Sequence, residues 1–185
     1  MDAAHGRYRD PVARGILSSL LNLFRPSRRP SATQTPSASA EAVPGRYGGT
    51  ATREIDPPRK TELRITYKPV RDTDPDAGEI VWTWVPYVER DGRGKDRPVL
   101  VIGRRDADTV YAVKLTSKAH DGQRDFLPIG SGAWDTQGRP SWVDIDQFYL
   151  VHRDGMRREA AALDLEQFVR VADALHRRYG WTVGN

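Results

Sequence analysis

The sequence predicts a mainly β domain with flanking α structure: a small, strongly bent sheet or partly open barrel with one C-terminal amphipathic helix. Two observations carry that prediction. Between residues 62 and 153, five or six short runs of strand-like pattern alternate with polar, glycine-bearing turns. Beyond them, residues 164–180 keep a helical period over four turns.

Taken in order, "ELRITYKP" (62–69) alternates like a strand and opens the domain, and "DTDPDAGE" (72–79) follows as a loop. Asp72, Asp74 and Asp76 invite a calcium reading, which the spacing rejects. Such a loop needs glycine directly after the third aspartate and glutamate at position 83, whereas this chain has Ala77 and Thr83. In "GEIVWTWVPY" (78–87), Ile80, Trp82 and Trp84 alternate with Val81, Thr83 and Val85, which predicts a strand with one aromatic face. The polar loop "ERDGRG" (89–94) leads into "RPVLVIG" (97–103), an apolar run suited to burial on both faces. Pro98 stiffens the entry to that run, beside Arg97.

Further strands are predicted at "TVYAVKLTSK" (109–118), "RDFLPIG" (124–130) and "SWVDIDQFYLVHR" (141–153), with turns at "RRDAD", "AHDGQ" and "SGAWDTQGRP". The closing helix places Leu165, Phe168, Val169, Ala172, Leu175 and Tyr179 on one stripe, read as core. Asp164 is its predicted N-cap, with Gln167 three positions on, and Gly180 its C-terminal stop.

The first 60 residues differ in kind. Val12, Ile16, Leu17, Leu20, Leu21 and Phe24 fall at helical spacing among Arg7, Arg9, Arg14 and Arg25. Residues 1–25 therefore read as a basic amphipathic segment, able to visit a membrane surface or a partner groove when helical. Residues 26–60 are rich in Pro, Ser, Ala, Thr and Gly and read as a disordered linker, leaving 61–185 as the domain.

Composition narrows the function classes. No cysteine is present among 185 residues, which excludes disulfides and thiolate zinc sites. The net charge of +4 is unevenly spread: residues 1–60 carry ten Lys/Arg against five Asp/Glu, and residues 61–185 nineteen against twenty. A nucleic-acid site in the domain must then be a local patch. No stretch approaches the roughly 20 apolar residues of a membrane span. "GILSSLLNLF" (15–24) is broken by Ser18, Ser19 and Asn22 and is followed at once by "RPSRRP", unlike a signal-peptide core. The expected location is cytoplasmic, without stable membrane insertion.

The order "GEIVWTWVPY", glycine-rich loop, "RPVLVIG", a strand ending "LTSK", "DIDQ" and a terminal amphipathic helix resembles the PemK/MazF family of type II toxin–antitoxin systems, over about residues 78–180. The resemblance implies an SH3-like β-barrel of the PemK/MazF/CcdB kind with attached helices, usually a homodimer. It also implies a metal-independent endoribonuclease, without cofactor, that cuts single-stranded RNA and is restrained by a cognate antitoxin.

Carried over by position, Arg97 matches the arginine that polarises the scissile phosphate, and Thr116 the threonine whose hydroxyl helps hold it; Ser117 follows as is common there. Asp146 and Gln147 match an acidic residue followed by Gln on the late strand, an acid proposed as general base in some members. The chain departs from the pattern at Tyr149 and Asp144, where many or some members have arginine.

The implied chemistry uses the 2′-hydroxyl as nucleophile and leaves a cyclic phosphate. A base takes its proton, a cation stabilises the phosphorane, and an acid protonates the leaving oxygen. Arginine suits the second task, because its planar fork pairs bidentately with phosphate oxygens. Thr116 offers one further donor. His120 and Tyr149 are the candidates near the cleft for the acid, and solvated loop residue is the commoner fate of a histidine such as His120. Asp144 and Asp146 share a strand face, but no histidine or third carboxylate stands at ligand spacing, so no metal site is expected.

Trp134, in a loop, is the expected base-stacking residue, and Trp82 and Trp84 are read as core. Lys95, Lys118 and Arg124 are the basic residues positioned to line an RNA path. Two further readings share this fold: a catalytically inactive module that binds RNA or a protein partner, and a CcdB-like toxin that binds a protein target through an exposed apolar C-terminal helix.

Overall fold

The computed structural model describes residues 43–69, 74–89 and 91–184. Besides two short 3-10 helices (Gly48–Thr50 and Arg153–Gly155), nine strands and one α-helix make up the regular structure among them: β1 (Arg53–Ile55), β2 (Arg64–Thr66), β3 (Glu79–Pro86), β4 (Gly94–Arg104), β5 (Thr109–Thr116), β6 (Phe126–Gly130), β7 (Ser141–His152), β8 (Arg157–Ala162), α1 (Leu165–Tyr179) and β9 (Thr182–Gly184). The main sheet is antiparallel in the order β1-β7-β5-β4-β3-β8, with β6 also paired to β7. Short β2 and β9 pair in parallel as a separate ribbon.

The ladder does not close into a full barrel. Its two edges are instead tied by the segment before β1: Trp84 donates its backbone N–H to the Pro44 carbonyl, and Thr52 Oγ1 lies 2.6 Å from Thr83 Oγ1. Thr83 in turn donates to the Gly155 carbonyl at 2.6 Å. Gly45 sits at this junction with φ +79°, and a Cβ there would lie 2.2 Å from Thr83 Oγ1, so only glycine fits.

Alternation along each strand sorts side chains to two faces. Val81, Val85, Val99, Val101, Val110, Ala112, Tyr149, Val151 and Met156 fill the concave interior. The larger cluster lies on the other face, where Ile80, Leu100, Ile102, Val113 and Phe148 meet α1 and Trp181. Burial of each such large side chain contributes about 1.5–3 kcal/mol. Phe148, Tyr179 and Trp181 interlock, with Phe148 edge-on to both rings.

Asp164 caps α1 by accepting the Gln167 N–H at 2.8 Å, and Gly180 ends it at φ 74°, both as the sequence predicts. The stripe is rotated from the expected one. Phe168, Val171, Ala172 and Leu175 are buried, while Leu165 and Val169 are exposed beside Tyr67 and Val183. The helix crosses the sheet at an angle set by both partners, and a linear period cannot supply that angle.

The expected linker boundary also moves. Arg53–Ile55 pairs with Phe148–Leu150, and Pro58 accepts the indole N–H of buried Trp181 at 2.9 Å, so residues 43–60 belong to the domain. Their Pro/Gly content serves tight turns against the sheet edge. Strand β8 was not predicted, because "RREAAA" carries no strand pattern. It pairs with β3 through an irregular register, with Ala160 at φ 54°. The readings for residues 1–25 and 26–42 fall outside the described residues.

Candidate functional site

Arg97 sits on β4 two residues before Val99, so its side chain leaves the strand on the interior face, at the open mouth of the valine-lined core. The residue is half-buried, and its guanidinium makes no hydrogen bond or ion pair among the described residues. Neighbouring cations are committed: Arg157 to Asp96 at 2.7 Å, Arg158 to Glu79 at 2.6 Å and Arg139 to Asp135 at 2.8 Å. A guanidinium held by a strand yet lacking a carboxylate is a ready anion site.

Arg97 lines two depressions at once. The smaller, about 130 Å³, also holds Lys95, Thr116, Ser117 and Trp82. The larger, about 400 Å³, is lined by Lys114, Gln147 and Tyr149 together with residues 85–89. Arg97, Thr116, Lys95 and Ser117 therefore meet in one depression, and Gln147 and Tyr149 flank Arg97 on its other side. The Thr116 hydroxyl oxygen accepts the Lys118 N–H at 3.2 Å, which leaves its own proton uncommitted among the described residues. Lys118 itself is exposed and lines neither depression.

Asp146 does not join this group. Its carboxylate accepts from Arg178 at 2.6 Å and from the Tyr179 hydroxyl at 3.1 Å, both on α1. Arg178 also bonds Asp125, and that contact raises its pKa. The cause is a bulge in β7. Val113 faces Phe148 while Leu115 faces Val143, so five steps of β7 oppose two of β5, and the alternation changes phase between Ile145 and Phe148. Asp144, buried at 4% exposure, takes the opposite side and pairs with Lys114 at 3.3 Å. The two aspartates thus diverge and share no ligand position.

Trp134 does line the smaller depression, but as part of its wall: it is buried, stacks over Gly132 and donates its indole N–H to Ser141 at 3.1 Å, so little of its ring is open to a base. Trp82 and Trp84 are the half-exposed pair, because Val81, Thr83 and Val85 take the interior positions. Arg46 lies over the Trp84 ring at 4.4 Å and Arg157 over Trp82 at 5.9 Å. His120 stacks on Phe126, bonds Gln123 and lines neither depression. Arg124 is exposed and likewise lies outside both.

Lys114 is the lining residue of this site that sequence reasoning missed. It stands two residues before Thr116 on the same strand face, a period-two signal that was available. Its ammonium donates to both Asp144 and the Gln147 amide oxygen. Tyr149 donates to that same oxygen at 3.3 Å. Burial pushes the Tyr149 phenol well above its ordinary pKa, helped by Glu54 and Asp144 and opposed by Arg97. Tyr149 is 1% exposed, so it forms the wall of the site and braces Gln147.

Arg97 and the Thr116 hydroxyl can bind an anionic oxygen group and stabilise charge developing on it, while Lys114, paired with Asp144 and Gln147, lines the depression on the other side of Arg97. Among the described residues no cluster of three metal-ligating side chains occurs, and no helix is long and apolar enough to cross a membrane.

Solved structures with a similar chain path include the MazE–MazF complex from Deinococcus radiodurans (20% identity, covering 58% of this chain and 98% of that one, TM-score 0.44). An endoribonuclease in complex with its cognate antitoxin from a mycobacterial species is similar at 16% identity, with 58% and 96% covered and a TM-score of 0.45. The Mycobacterium tuberculosis toxin MazF-mt6 is similar at 18% identity, with 56% and 97% covered and a TM-score of 0.42. No curated protein matches this chain at a significant level. The sequence pattern of the PemK-like, MazF-like toxins of type II toxin–antitoxin systems matches residues 76–178, from just before β3 to the end of α1, and the chain belongs to that family.

Proposed function

We propose that this protein is a metal-independent endoribonuclease that cuts single-stranded RNA by attack of the 2′-hydroxyl, leaving a cyclic phosphate. The observation that carries the reading is the uncommitted guanidinium of Arg97, shared by two depressions and set beside the Thr116 hydroxyl. Arg97 neutralises charge on the phosphorane, and Thr116 donates to a non-bridging oxygen. Lys95 and Ser117 hold the strand on the Thr116 side, and half-exposed Trp82 offers a ring edge there. The protein acts in the cytoplasm as a homodimer restrained by an antitoxin, in keeping with its family.

A second reading is a module that binds RNA or a partner without cutting. It is favoured by Asp146, the expected general base, being engaged with Arg178 and Tyr179 of α1. One experiment separates the two. Purified wild-type and Arg97→Ala proteins are incubated with a long single-stranded RNA in chelator, and the ends are analysed. Discrete cuts with cyclic-phosphate ends, lost in the variant, support the nuclease; undamaged RNA bound by the wild type overturns it in favour of the binding module.

A further inference from the structure

Gln147 sits in the larger depression with its amide orientation settled by its neighbours. Its Oε1 receives Lys114 Nζ and the Tyr149 hydroxyl. An ammonium can only donate, so the oxygen must face it, and the reverse amide orientation would set NH₂ against NH₃⁺. The high pKa of the buried Tyr149 phenol keeps its proton in place across the working range. The Nε2 group, by contrast, has no partner among the described residues and is not buried, on a side chain that lines the depression.

We propose that Gln147, locked by Lys114 and Tyr149, is a base-reading donor: the depression beside Arg97 accepts a nucleobase that presents a carbonyl acceptor, uracil or guanine, in preference to its amino counterpart, cytosine or adenine. This rests on the reading of the protein as an RNA-binding toxin. Arg97, Lys114 and the Gln147 amide bring donors to the lining, which also carries the Tyr87 and Tyr149 hydroxyls and the exposed carboxylate of Glu89. A carbonyl such as uracil O4 meets the amide N–H with a hydrogen bond. Cytosine N4 at the same point would oppose donor to donor, leaving both unpaired. Val85 and Pro86 form the apolar side of the same depression, suited to a base plane, and about 400 Å³ accommodates one base.

The test is equilibrium binding of short labelled oligonucleotides of uridine or cytidine, 2′-O-methylated so that neither can be cut, measured by fluorescence anisotropy. The wild type is expected to favour the uridine probe by about tenfold. Gln147→Glu places an acceptor in the same position and should invert the ratio, and Gln147→Leu should bring it close to one. The ratio cancels any general change in affinity for the backbone, and if the glutamate variant does not fold, the leucine variant decides. A wild-type ratio near one, a preference for cytidine, or a ratio that survives both substitutions overturns the inference while leaving RNA binding intact. Failure of either probe to bind the wild type overturns the RNA reading itself, and this inference with it.

Discussion

The Asp144 carboxylate lies 3.3 Å from the Lys114 ammonium on the Arg97 side of the sheet, while Asp146, two residues further along the same strand, bonds α1. One bulge separates a carboxylate that braces the candidate site from one that fastens the helix. The family resemblance pointed to Asp146; the backbone gives that neighbourhood to Asp144.

Asp146→Asn should therefore keep cleavage within about fivefold of wild type, because exposed ion pairs of the Asp146–Arg178 kind are worth about 0–1 kcal/mol. Asp144→Asn should cost far more, since it removes the one negative charge paired with a largely buried Lys114 and leaves it only neutral acceptors. Initial cleavage rates of the two variants, beside their urea midpoints, check the contrast; equal losses would return Asp146 to the site.

Arg97→Lys should lose about a hundredfold or more in rate with little change in stability. The ammonium keeps the charge but not the bidentate fork, and no folded-state partner is forfeited. Single-turnover cleavage and thermal unfolding on the same samples measure both halves.

Thr83→Val should lower stability by about 1–3 kcal/mol, leaving the Gly155 carbonyl and the Thr52 hydroxyl without their buried partner. Denaturant unfolding reads the loss. Deleting residues 43–60 should do more, because it uncovers the β7 edge and the valine interior together; a shortened chain that keeps a sharp unfolding transition would show that the segment is dispensable.

Alkaline pH should weaken the fold. Burial, aided by Asp146, pushes Tyr179 up to about 12 from 10.0, and Tyr149 moves in the same direction. Above about pH 10 the unfolded chain releases these protons while the folded one retains them, so stability falls as pH rises from there toward 12. Urea midpoints across that range, with phenolate absorbance followed in parallel, test the sign. Tyr179→Phe should reduce the slope.

Six of the nine strands and the helix with both caps were legible in the chain, because each rests on periodicity or on a cap residue, whereas the pairing of Arg97 with Thr116 came from the family resemblance. Strands β1, β8 and β9 were not, being three to six residues long and supported by their neighbours' hydrogen bonds rather than by their own pattern.

What the chain alone determined was local: which runs extend, where the helix starts and stops, and that an arginine is held at the mouth of a buried strand. Everything that depended on phase between strands was decided by the tertiary structure. Trp134 turned inward because the space over Gly132 and the Ser141 hydroxyl accepted its ring and its N–H. Asp144 and Asp146 parted because a bulge in β7 reversed the alternation, and a two-residue period cannot register a slip that only the partner strand reveals.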